Sequence, residues 1–281
     1  MFAQVSILAP GLLGASLGLA LHERALAQRI HVWARREVSR QQCRASAWCD
    51  AAMEDPTEAV HGSELVVICA PVDAIPELLE RCLPGLHPEA LVTDVGSTKA
   101  IICEEAVHRM GGVAHFIGSH PMAGSEKTGM ENARPDLFCS RPCLVTPTAE
   151  TPPGLIDRLV NFWKALQMEV SIVDPTEHDR IVAAISHLPH LLASCLCNHL
   201  AGKPPEWADF SGAGLKDTTR VAAGDAELWR AIVADNRIPV LQALREFSGQ
   251  LNQLEAVIAR EEDDALKELL LAARIYREGL S

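Results

Sequence analysis

The feature that most restricts this chain is a short apolar run, Val5 to Leu8, that ends in a glycine-rich turn: Ala9-Pro10-Gly11-Leu12-Leu13-Gly14-Ala15-Ser16-Leu17-Gly18. An apolar strand that breaks at glycine and restarts as a helix opens a doubly wound sheet that holds a dinucleotide. Ala9 stands where the first glycine of that pattern falls. Gly11 still lets a pyrophosphate approach the backbone, and Gly14 still lets helix and strand pack closely. Leu12 and Leu13 open the helix whose unpaired N–H groups face the phosphates. The cofactor cradle is therefore assigned to Ala9, Gly11, Leu12, Leu13 and Gly14. A tight turn in a sheet protein without cofactor explains the glycines alone; their place on the first strand favours the dinucleotide.

Downstream, apolar runs at 30–33, 65–70, 91–95, 113–117, 143–147 and 169–173 alternate with helical periodicity at 12–26, 37–47, 72–83, 97–109 and 152–167. Near-continuous apolar strands between helices imply a mostly parallel sheet covered on both faces. The character changes at Asp174-Pro175-Thr176-Glu177, where a capping carboxylate, a first-turn proline and an early acid start a helix. Helices are expected over 177–201, 218–224, 226–247 and 250–278, with a loop over 202–216, which holds Gly202, Pro204, Pro205, Gly212 and Gly214. The fold class is α/β plus all-α: an N-terminal Rossmann-type doubly wound parallel sheet, residues 1–173, and a C-terminal helical domain, residues 174–281. Long apolar faces on a fused helical domain point to a homodimer.

Composition narrows the partners. Of 281 residues, 48% are hydrophobic and 22% charged, and the formal charge of −12 opposes gripping a nucleic-acid backbone. A small anionic substrate needs only a local positive pocket. Nine irregularly spaced cysteines without paired CxxC motifs read as free thiols in a reducing compartment, with no metal site. The N-terminus lacks a basic leader, and Gly11, Gly14, Gly18, His22, Glu23 and Arg24 interrupt any membrane span. Cytoplasmic location is the expectation.

Five further stretches carry chemistry. The second strand ends in Ala34-Arg35-Arg36, with alanine where an NAD site usually has an acid for the ribose. Arg35 or Arg36 can bond a 2′-phosphate, so NADP is favoured over NAD; the plainer reading has one arginine on the adenine and the other solvated. Asp94-Val95-Gly96-Ser97-Thr98-Lys99 follows a strand, placing Ser97 at the ligand-binding edge, unless it merely caps the next helix. His120, in Gly118-Ser119-His120-Pro121, is poorly explained by core packing and suits proton transfer. Ser186 and His190 lie four residues apart on one helix face, and Pro189 between them, unable to bond back to Ile185, is expected to kink the helix or open it locally. Arg220 is expected just inside a helix start capped by Asp217, where a cation opposes the helix dipole; that mismatch suggests a carboxylate grip. Trp229 can wall the same pocket.

Together, Gly11 to Gly18, Asp94 to Lys99, His120 to Gly129, Ser186 to His190 and Gly212 to Arg220 resemble the prephenate/arogenate dehydrogenase family of tyrosine biosynthesis, over about residues 4–275. The resemblance implies a dinucleotide-binding domain, a helical dimerisation domain, and oxidative decarboxylation of prephenate or arogenate with NAD or NADP. It makes His120 the catalytic histidine and Ser97 the residue that orients it and the substrate hydroxyl. It assigns Ser186, His190, Arg220, Glu126, Asp217 and Trp229 to the substrate side. The sequence departs from the family at Ala9, and at Leu215 and Lys216, where Phe and Arg are more frequent. The chain contains no stretch resembling chorismate mutase or an ACT domain, so tyrosine feedback would act at the active site or a dimer surface. The rivals weighed are a β-hydroxy acid dehydrogenase, which needs a lysine that 177–201 lacks, an imine reductase, which leaves His120 unexplained, and a non-catalytic dinucleotide sensor.

Overall fold

The computed structural model describes residues 1–123 and 128–280. The chain divides into two compact units, Met1–Asn236 and Arg237–Ser281.

The first unit is built on a six-stranded parallel sheet: β1 (Val5–Leu8), β2 (Ile30–Trp33), β3 (Ala51–Met53), β4 (Leu65–Ile68), β5 (Leu91–Asp94) and β6 (His115–Phe116), in the order β3-β2-β1-β4-β5-β6. Its covering helices are α1 (Leu12–Glu23), α2 (Glu37–Arg44), α3 (Pro56–Val60), α4 (Ile75–Cys82) and α5 (Ala100–Met110). Strands β1 and β4 are buried along their whole lengths, as a sheet covered on both faces requires. The chain starts at the centre, winds outward, and returns beside β1, so the carboxyl ends of β1 and β4 part at a crevice where such sheets take ligands. Close packing there needs Gly14: a Cβ at that position would lie 3.1 Å from Ile7 Cγ2 and 3.2 Å from Cys69 Cβ. The short β3 and α3 went unread in the sequence; Asp55 starts α3 by accepting from the Thr57 N–H at 2.9 Å.

One mostly parallel sheet is the expectation from sequence; the first unit has two sheets. β7 (Gly118–Pro121) runs antiparallel to β8 (Pro142–Thr146), which lies parallel to β9 (Glu169–Ile172) across the crossover helix α6 (Pro153–Ala165). Only Ile117 separates β6 from β7, and parallel neighbours need a crossover of a dozen residues or more, so β7 leaves the first sheet. His120 therefore lies within a strand and not in the loop after one.

Beyond β9, every regular element is helical. Asp174 accepts from the Thr176 and Glu177 N–H groups at 2.8 and 3.2 Å and starts α7 (Pro175–Val182), as the sequence foretold. The local opening expected from Pro189 is a π turn over Ala183–His187, which contains Ile185; Pro189 itself sits in the first turn of α8 (Leu188–Ala201). Proline offers no N–H to the Ile185 carbonyl, and the wider turn absorbs that mismatch. The expected loop at 202–216 holds a 3₁₀ turn, Pro205–Phe210, and α9 (Ala213–Thr219), because Gly212 takes an extended conformation and caps the helix. A second 3₁₀ turn, Arg220–Ala223, leads to α10 (Ala226–Asp235). Continuous helix was expected over 226–247, but α10 ends at Asp235, and Asn236 takes the non-helical φ −103°, ψ 30°.

The second unit is a helix pair, α11 (Arg237–Ala259) and α12 (Asp263–Glu278). Leu270, Leu271, Ile275 and Tyr276 are exposed along α12. The stretch Pro175–Ala201 is long and apolar enough to cross a membrane. It also carries His178 and Asp179, both buried and hydrogen-bonded within the protein, which marks it as part of a globular core.

Candidate active site

At the carboxyl edge of β1, the turn expected to cradle a dinucleotide is in place. α1 begins at Leu12 with Gly11 as its cap, and no side chain bonds the first N–H groups. A Cβ at Gly11 would meet nothing within 4 Å, so the backbone there stands open to a pyrophosphate. Ala9 adopts φ +63°, the left-handed conformation that a glycine takes without strain. Its N–H donates to the Trp33 carbonyl at 2.9 Å, holding the turn to β2. Arg35 and Arg36, just beyond β2, are exposed and in no ion pair among the described residues. Below them the buried Arg40 ties the turn together, donating to the carbonyls of Ala34 and Arg35 at 2.9 and 3.1 Å and pairing with Glu37 at 2.7 Å. These residues fit a nicotinamide dinucleotide.

The other side of the site hangs from the end of β5. Asp94 and Lys99 are fully buried and form an ion pair, Nζ to Oδ2 at 2.5 Å. Nζ also donates to the Thr98 carbonyl at 2.7 Å, and Asp94 Oδ1 accepts from the Ser119 N–H at 3.1 Å. That last bond joins β7 to the carboxyl end of β5. The join depends on Gly118, where a Cβ would lie 2.8 Å from Lys99 Cδ and 2.4 Å from Thr146 Oγ1. Buried with Asp94, Lys99 is an ion-pairing residue and not a surface one. Ser97 is half-buried in the same turn. It does not cap the next helix: α5 starts at Ala100, and the Asp179 carboxylate accepts from the Lys99 and Ala100 N–H groups at 2.8 and 3.0 Å.

His120 follows on β7 and is 7% exposed. Its Nδ1 lies 2.9 Å from His178 Nε2, and His178 Nδ1 lies 2.8 Å from Asp179 Oδ1. Among the described residues, Nε2 of His120 has no hydrogen-bond partner. Burial holds the His120 pKa well below the usual histidine value, with further lowering from His178, Lys99 and His187. Burial also lowers His178, against the opposing pull of Asp179. A neutral imidazole with an open nitrogen can accept a proton.

The π turn supplies a second polar group. Asn236 Nδ2 donates to the Asp179 carbonyl at 2.8 Å and lies 3.1 Å from His187 Nδ1. Burial pushes His187 down to about 4. His190 stacks on Trp229, ring centroids 3.5 Å apart and 9° from parallel, and Trp229 meets His187 edge-on at 5.9 Å. Burial lowers His190 as well. The predicted Ser186 is half-buried on the π turn. Its expected i to i+4 alignment with His190 was drawn for a regular helix, which a π turn is not.

Arg220 requires a correction. It lies at the end of α9, where the sequence reading had it just inside a helix start, and Asp217 lies within α9 and does not cap it. A cation is well placed at that end of a helix dipole, so the inferred mismatch disappears. Arg220 is exposed, and its 3₁₀ turn packs on α8, the helix that carries His190. Asp217 is exposed. Glu126 lies outside the described residues. Sequence reasoning missed His178, Asp179 and Asn236. Thr176-Glu177-His178-Asp179-Arg180 reads as the solvated first turn of a capped helix, and only tertiary packing carries two of its members inward. Among the described residues no group of three His, Cys, Asp or Glu side chains is placed to hold a metal ion. All nine cysteines are free.

Comparison with known proteins identifies the family. Residues 17–172 match the family model "Prephenate dehydrogenase, nucleotide-binding domain", and residues 174–272 match "Prephenate dehydrogenase, dimerization domain". The cyclohexadienyl dehydrogenase of Zymomonas mobilis is 29% identical over 273 residues, covering 95% of this chain and 92% of that protein. The crystal structure of Aquifex aeolicus prephenate dehydrogenase with hydroxyphenyl propionate and NAD+ superposes with a TM-score of 0.93 at 27% identity, covering 100% of this chain and 99% of that one. The Synechocystis arogenate dehydrogenase superposes with a TM-score of 0.86 at 29% identity, covering 99% and 100%.

Proposed function

Because this chain belongs to the prephenate dehydrogenase family, with its nucleotide-binding sheet and helical dimerisation domain, we propose that it oxidises prephenate to 4-hydroxyphenylpyruvate and carbon dioxide, with NADP favoured over NAD. In this reading residues 1–173 bind the dinucleotide, and residues 174–281 hold the substrate and pair two copies of the chain. The observation that carries it is His120: buried, hydrogen-bonded through Nδ1, and joined through Asp94 to the sheet edge that also bears the cradle.

The substrate ring carries a hydroxyl and a hydrogen at C4 and a carboxylate at C1. Bound nicotinamide supplies the acceptor for the C4 hydride. His120 Nε2 takes the hydroxyl proton as C4 becomes a carbonyl carbon. The bond from C1 to its carboxylate then breaks, its electron pair enters the ring, and carbon dioxide leaves. His120 returns the proton to the phenol oxygen, so the base is restored in each turnover. Aromatisation drives the reaction, and the protein contributes mainly position. Ser97 orients the reacting hydroxyl. Arg220 fixes one carboxylate by charge-assisted bonds. His190 with Ser186 contacts the other end, Trp229 backs His190, and Glu126 and Asp217 shape the entrance.

Arogenate, which bears an ammonium where prephenate has a keto group, is the second reading, favoured by the likeness to the Synechocystis enzyme. The missing acid at Ala34 and the two exposed arginines support NADP. The free thiols support a reducing compartment, the cytoplasm. The test measures reduction of NAD and of NADP separately with each acid, in the natural protein and with Arg35 and Arg36 both changed to alanine. Prephenate with NADP is expected to react fastest, and the double variant to lose NADP affinity about tenfold more than NAD affinity. Turnover of arogenate alone would move the substrate to the second reading. Equal losses would overturn the NADP preference, and no reduction with either acid would overturn the function.

A further inference from the structure

We propose that His178 and Asp179 are positioning residues: they hold His120 as its Nδ1–H tautomer, so that Nε2 carries the lone pair, and the Asp179 carboxylate at the same time fixes the turn that bears Ser97. The proposal rests on the reading of His120 as the base.

The hydrogen bonds leave one arrangement of protons. A carboxylate only accepts, so His178 Nδ1, 2.8 Å from Asp179 Oδ1, carries a hydrogen. His178 is neutral near pH 7, because burial outweighs the pull of Asp179. A neutral imidazole has one N–H, which leaves a lone pair on His178 Nε2. His120 Nδ1, 2.9 Å away, must then donate. His120 is neutral too, and with its one hydrogen on Nδ1 its lone pair is on Nε2, the nitrogen with no partner among the described residues. In the opposite order, His178 would donate from Nε2 and turn Nδ1 toward Asp179 without a hydrogen, placing lone pair against carboxylate.

The charged and titratable groups around His120 act in one sense, and those around His178 are divided. Lys99 in the β5–α5 turn and His187 in the π turn disfavour a positive His120, as does His178 on α7. Lys99 disfavours a positive His178, while Asp179 and Asp94 favour it. When His120 takes a proton at Nε2, its Nδ1–H still points at His178, whose own N–H points at Asp179. The new positive charge is stabilised along the chain with no second proton moved.

Asp179 acts on Ser97 as well. Its carboxylate oxygens accept from the Lys99 and Ala100 N–H groups, and Asn236 holds its carbonyl. One residue thus aligns the base, on β7, and the turn after β5 that bears the serine that orients the substrate. The resemblance that singled out His120 and Ser97 names neither His178 nor Asp179.

The test uses the full chain with ¹⁵N-labelled histidines, and His120→Asn to assign the His120 signals. At pH 7.5 the His120 ring is expected to show a protonated Nδ1 and an unprotonated Nε2. His178→Leu should move the proton toward Nε2 and lower kcat about 10²-fold, with KM changed by less than about threefold. His178→Gln keeps an oxygen that can accept from Nδ1–H; it should hold the tautomer and recover kcat to within about tenfold of the natural protein. A role in packing alone would make the two variants equally slow. That result, or an Nε2–H tautomer in the natural protein, would overturn the proposal. If the natural protein oxidises neither acid, the functional reading fails, and the ring-nitrogen spectrum still decides the tautomer.

Discussion

Ala9 shows how far a local pattern can be trusted at single residues. It occupies the glycine position of the phosphate turn and takes the glycine conformation, φ +63°. A left-handed alanine costs roughly 1–2 kcal/mol, and part of the relief from Ala9→Gly is offset by a more flexible unfolded chain. The variant is expected to gain about 0.5–1 kcal/mol in denaturant unfolding without weakening dinucleotide binding; a loss of stability would contradict the strain. The cradle was legible because its signal is consecutive in sequence. His120 stood out because glycine, serine and proline around a histidine are unusual in a core, yet the structure buries all four, Gly118 to Pro121, in β7. His178 and Asp179 did not stand out, because a capped first turn rich in polar residues is ordinary on a surface, and nothing local says that α7 delivers them to β7.

Among elements, the turn from β5 to α5 bears the most. It holds Ser97 and the buried pair Asp94–Lys99, and it receives Asp179. Lys99→Met leaves a buried carboxylate without its cation, which costs about 3–5 kcal/mol. Chemical denaturation should read that loss directly, and an unchanged midpoint would mean that the pair is dispensable. The elements read best from sequence were strands β1, β2, β4 and β5, each an apolar run with its own helix. Glycine and proline do not mean loop here: α9 forms over Ala213–Thr219 with Gly212 at its cap and Gly214 inside it, and Arg220 lies at a helix end, not a helix start. The helix-dipole argument for its task falls with that placement, and the task rests on the resemblance to the family. Arg220→Ala is expected to raise KM for the dianionic substrate about 10-fold or more, with kcat changed much less. An unchanged KM would remove Arg220 from the substrate.

For the whole molecule, the buried histidines tie stability to pH. His187 accepts a proton only near pH 4 when folded and near 6.5 when unfolded. The unfolded chain therefore binds more protons between those values, and stability falls as pH drops from about 6.5 toward 4, by about 3 kcal/mol from His187 alone. His120, His178 and His190 are lowered too and add in the same direction. Thermal unfolding should show a Tm that drops between pH 7.5 and pH 5; a flat Tm would contradict neutral buried rings. Composition and charge set only the broad class of the molecule, an acidic globular protein. They could not foresee the second sheet, which arises because β6 and β7 have no crossover between them.

The central claim is that His120 moves the substrate proton, and the direct measurement is steady-state reduction of the dinucleotide by prephenate in the natural protein and in His120→Asn. The account predicts a kcat lower by roughly 10²–10⁴-fold with cofactor affinity nearly unchanged. Turnover by the variant equal to that of the natural protein would contradict it.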